Sequence, residues 1–111
     1  MRKNLSIIFY IISLFSLFNV SYSQDAYLDS LNLQLSDSKD FDEQTKLLFK
    51  IGDYDHTFRI SYWDSIIERC GSKSNLQKIK GFSQNNGGFI SDMQGDREKA
   101  EQYFSSAIEN F

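Results

Sequence analysis

The sequence predicts an all-α protein of antiparallel helix pairs, and three observations carry that prediction. Apolar residues recur at steps of three and four through most of the chain after Tyr27, the stride of helices with one buried face. None of the 111 residues is proline, so no helix interior loses a backbone N–H to one. The glycines, at 52, 71, 81, 87, 88 and 95, lie in turn-like stretches or within periodic ones, a pattern of helices joined by short turns.

The N-terminus precedes this pattern. Arg2 and Lys3 are followed by a largely apolar run from Leu5 to Val20, and Ser21-Tyr22-Ser23 places small residues at −3 and −1 before Gln24. This is the layout of a secretory signal peptide. A retained anchor is the competing reading, but Ser13, Ser16 and Asn19 interrupt a run shorter than the roughly 18–20 apolar residues of a span. The expectation is cleavage after residue 23 and a periplasmic or secreted product. That product keeps ten basic and fifteen acidic residues, a net charge of −5. Without a basic cluster it is a poor candidate for nucleic acid or for an anionic membrane.

The helices follow in order. Tyr27, Leu28, Leu31, Leu33 and Leu35 make a short, roughly helical stripe broken at Ser36-Asp37-Ser38. Asp40 or Asp42 is placed to cap the next helix, whose buried face is Leu47, Leu48, Ile51 and Tyr54, with a turn over Asp53 to Thr57. Phe58, Ile60 and Tyr62 alternate like a strand, but Tyr62/Trp63, Ile66/Ile67 and Cys70 step by about four, and the longer pattern predicts one helix from Phe58 to Cys70. Gly71 stands at its C′ position. Leu76, Ile79, Phe82, Phe89, Ile90 and Met93 keep helical spacing across three glycines, each costing about 1 kcal/mol relative to alanine, so packing must hold this helix. Gly95-Asp96 turns the chain, and Asp96 caps a last helix with the face Ala100, Tyr103, Phe104, Ala107, Ile108 and Phe111.

Residues with catalytic or metal-binding chemistry are few. His56, the single histidine, lies in a turn beside Asp53 and Asp55, and one His with one Cys does not make the three or four ligands of a transition-metal site. Cys70, the single cysteine, shares its spacing with Ile66 and Ile67, which points to packing rather than nucleophilic work. Asp37, Asp40, Asp42 and Glu43 lack the alternation and the glycine of a calcium loop, because Lys39 and Phe41 intervene. Gly87-Gly88 lacks the further glycines of a phosphate loop. The expectation is no enzyme, no metal and no cofactor within this chain.

Gly88, Gly95, Ala100, Phe104 and Ala107 follow one another at seven, five, four and three residues. This series resembles a tetratricopeptide repeat spanning Gly81 to Phe111, in which small residues let two helices approach and an aromatic fills the gap. Gln84, Gly87, Ser91 and Arg97 depart from the usual residues of such a repeat. A degenerate copy fits Leu47 to Cys70, with Trp63 corresponding to Phe104 and Ile66 to Ala107, at an offset of 41 residues against the usual ~34. The arrangement resembles the N-terminal part of exported repeat proteins of Bacteroidota, many of which continue to a membrane helix and an output module such as a histidine kinase.

The resemblance implies a concave face built from the first helix of each pair, and a protein or peptide partner. The domain expectation is a signal peptide over 1–23, N-terminal helices with one degenerate repeat over 24–80, and a repeat over 81–111. The expected function is a non-catalytic protein-binding segment, the input or scaffold part of a signalling protein. The alternative is a stand-alone exported helical structural protein or adaptor without a groove. Repeats need about three units to cover their apolar faces. Residues 24–111 alone are therefore expected to be marginal or to self-associate through Tyr103–Phe111, with Cys70 as a secondary crosslink.

Overall fold

The computed structural model describes residues 26–111, and the expected leader over 1–23 lies outside them. Among the described residues every regular element is helical. Helix α1 covers 26–37, α2 Phe41–Tyr54 and α3 Ile60–Cys70. A 3₁₀ turn, Ser74–Leu76, leads into α4, Gln77–Met93, and α5 is Arg97–Glu109.

Successive helices run antiparallel. Tyr27 near the start of α1 meets Tyr54 at the end of α2, with ring centroids 4.6 Å apart. Arg69 at the end of α3 donates from Nε to Thr45 Oγ1 in α2 (2.9 Å), and Asn110 after α5 donates from Nδ2 to Gln84 Oε1 in α4 (2.8 Å). Trp63, Ile66, Cys70, Leu76 and Ile90 form one buried cluster across α3, the 3₁₀ turn and α4, with Phe49 and Ile79 against it. Each large apolar side chain so buried is worth roughly 1.5–3 kcal/mol. Phe49 of α2 touches both Trp63 and Phe82, with centroids 5.9 and 6.2 Å away, so α4 leans on both helices before it.

Two helices end in the same backbone motif. After α4, Gly95 has φ +82°, its N–H bonds to Asp92 O, and the Asp96 N–H reaches back to Ser91 O. After α2, His56 takes that left-handed position with φ +49°, and the Thr57 N–H reaches back to Gly52 O. These bonds satisfy carbonyls that a helix end otherwise leaves open. Asp96 caps α5 as expected, its Oδ1 accepting from the Lys99 N–H at 3.1 Å.

Several expectations are corrected. Asp40 precedes α2 but makes no side-chain cap bond, and Asp42 is turned toward Lys73 and Asn75 instead. Helix α3 begins at Ile60, leaving Phe58 outside it and 65 % exposed. Tyr54, Phe82, Phe89, Met93, Ile108 and Phe111 keep helical spacing yet are exposed, because the buried stripe is narrower than the apolar pattern. Cys70 is fully buried, and a thiol without access to solvent is no crosslinking group in the folded chain.

Candidate functional site

The residues singled out for packing fall on the faces where helices touch. In the second pair the backbone of α4 lies directly under two rings of α5. A Cβ built on Gly88 would stand 2.6 Å from Phe104 Cε1, and one on Gly87 2.8 Å from Tyr103 Cε1, closer than carbon atoms approach. Ala100 and Ala107 are buried on either side of Phe104, whose ring meets Phe89 edge-on at 5.5 Å. A Cβ built on Gly95 would meet nothing within 4 Å, so its place in the turn rests on φ alone. Gln84 is buried, and the bond from Asn110 satisfies its carbonyl.

In the first pair Trp63 and Ile66 are buried, and the Trp63 indole N–H donates to Thr57 O at 2.9 Å. Tyr62 and Trp63 both press on Gly52, where an added Cβ would meet Tyr62 Cε1 first and lie 3.0 Å from the Trp63 ring. The rings and their glycine are thus ten and eleven residues apart here and sixteen apart in the second pair. Tyr62 adds a hydrogen bond to Leu48 O, and burial pushes its phenol pKa up.

A polar clamp that sequence reasoning did not single out closes the other end of this pair. Arg69 donates to Thr45, to Phe41 O and to Gln44, and its guanidinium lies 4.0 Å from the centre of the Phe41 ring. Lys73 pairs with Asp42 at 2.6 Å and Asn75 donates to the same carboxylate, which holds the Asp42 pKa below its ordinary value. A second link joins the pairs: Tyr103 of α5 donates to Asp64 of α3, and burial, then that carboxylate, push the Tyr103 pKa well above the usual phenol range.

The helices leave a cleft of about 110 Å³ between the end of α2, the turn after it and the last half of α4. Trp63 and Ile90 lie at its base; Phe58, Phe89 and Met93 surround it, each more than half exposed. Asp53, His56, Thr57 and Asn86 supply the polar wall. In the sequence Phe58, Phe89 and Met93 are indistinguishable from core residues, because they repeat at the same helical step.

Cys70 is sealed in the core with its thiol pKa raised by burial, the opposite of an activated nucleophile. No group of three or more His, Cys, Asp or Glu among the described residues is arranged to hold a metal ion. No helix among them is long and apolar enough to cross a membrane. Comparison with protein-family models, with curated proteins and with solved structures found no match.

Proposed function

We propose that the chain is a tetratricopeptide-like, non-catalytic protein-binding segment of an exported protein, the periplasmic input or scaffold part of a signalling protein. The observation that carries this reading is the second helix pair. Its two rings rest on bare backbone at Gly87 and Gly88, a close approach that packs α4 against α5 on one side. The other side of α4 remains open to the cleft beside α2. Apolar side chains around an open cleft suit an extended peptide.

Random-peptide display against the full chain tests the reading. Peptides enriched on the wild type should be lost on the double variant Phe89→Ala/Met93→Ala. Failure to enrich any sequence, or equal enrichment on the variant, would count against a peptide cleft here. Export is tested separately: the N-terminal sequence of the product should start at Gln24, and an intact membrane-held chain would contradict it.

A further inference from the structure

The cleft has a charge as well as a shape. The last turns of α2 and α4 both line it, through Gly52 and Asp53 on one side and Ile90 and Met93 on the other. A helix C-terminus carries the equivalent of roughly half a negative charge, and two such ends meet here. Neither last turn holds a basic residue to offset them. Asp53 adds a full negative charge, and no lysine or arginine lines the cleft among the described residues. Asp55 and Asp92 are exposed beside the lining His56 and Met93. Arg59 lines a neighbouring cleft in company with Asp55.

The volume narrows the occupant. A cleft of about 110 Å³ is small beside the roughly 300–1,000 Å³ of pockets that enclose a whole small molecule. It has the scale of one side chain belonging to a larger partner. Resting on the peptide-binding reading above, we infer that the cleft takes a segment of another protein in which a large apolar residue stands beside a lysine or arginine. The apolar side chain enters between Phe89 and Met93, and the cation lies toward Asp53 and the end of α2. The ring faces of Phe58 and Phe89 favour the same sign, since an aromatic face is negative. An acidic segment meets carboxylates and helix ends of its own sign. A second copy of this chain is a poor occupant for the same reason, being net acidic itself.

Fluorescence anisotropy with short labelled Gly/Ser peptides tests this on the full chain. The probes carry a central Leu flanked by Lys, by Glu or by Ser, with a Lys-flanked Ala peptide as the fourth. The Lys-flanked Leu peptide should bind tightest. Asp53→Lys, at an exposed position, should weaken it about three- to tenfold and shift preference toward the Glu-flanked probe. Equal binding of Glu- or Ser-flanked Leu, or no response to Asp53→Lys, overturns the charge selectivity. If Phe89→Ala/Met93→Ala still abolishes that binding, the peptide cleft itself stands. Binding of no probe, with sedimentation showing self-association instead, overturns both.

Discussion

The two helix pairs solve the same problem with different materials. Helices α4 and α5 meet through the middle of α4, where Gly87 and Gly88 let the Tyr103 and Phe104 rings rest on the backbone. Helices α2 and α3 meet beside their turn, where the Tyr62 and Trp63 rings cover Gly52 two residues before the end of α2, and again at the far end through Arg69 and Lys73. At the helix positions that correspond to Gly87 and Gly88, counted back from the left-handed turn residue, α2 carries Leu48 and Phe49. The close approach of this pair falls instead at Gly52, under the Tyr62 and Trp63 rings, and polar contacts between distant residues hold its far end. The lesson is that backbone contact needs small residues at set spacing, whereas a polar clamp needs only that long side chains can reach.

The largest expected effect attacks the first pair. Trp63→Ala empties the centre of the buried cluster and should cost about 3–5 kcal/mol in denaturant unfolding. A loss below about 1 kcal/mol would mean that Trp63 does not join the two pairs. Ala100→Leu overpacks the buried face beside Phe104 and should cost roughly 1–3 kcal/mol; a neutral result would contradict the close approach of α4 and α5. His56→Gly should act in the other direction. It relieves a left-handed residue where the second pair already uses Gly95, and should stabilise by about 1 kcal/mol. Unchanged or lower melting would show that the His56 side chain contributes something the backbone does not reveal.

Asp42→Asn is the smallest expected effect and tests the clamp. The Asp42 pKa is lowered from 3.8, first by the hydrogen bond from Lys73 and then by that from Asn75. A depressed carboxyl pKa contributes stability above its ordinary value and loses it as pH falls through the lowered one. The wild type should therefore exceed Asp42→Asn slightly near neutral pH, and the two should converge on acidification and in high salt. A gap that persists at low pH would assign the effect to packing rather than to charge.

How much was legible in the sequence follows from the same contrast. The helical class, the turn at Gly95-Asp96 and the Asp96 cap rest on interactions within a few residues of one another, and those leave a periodic or local mark. The small residues around Phe104 were visible for the same reason, since Gly88 marks one face of α4 and Ala100 and Ala107 mark one face of α5. Arg69 gave no such mark: its partners Thr45 and Phe41 are 24 and 28 residues away. His56 read as an ordinary turn residue because histidine seldom takes positive φ, and only the backbone shows that it does.

By itself, then, the sequence determined which segments become helices and where small residues permit two of them to touch. Only the tertiary structure decided which apolar residues are core and which are surface. Phe89, Met93 and Ile108 keep the same stride as Ile90 and Ala107, yet the first three are exposed and the last two buried. A helix fixes the angle between its side chains, but not which arc of its surface a neighbour covers. That arc is set by the helices packed against it, and with it the open cleft between α2 and α4.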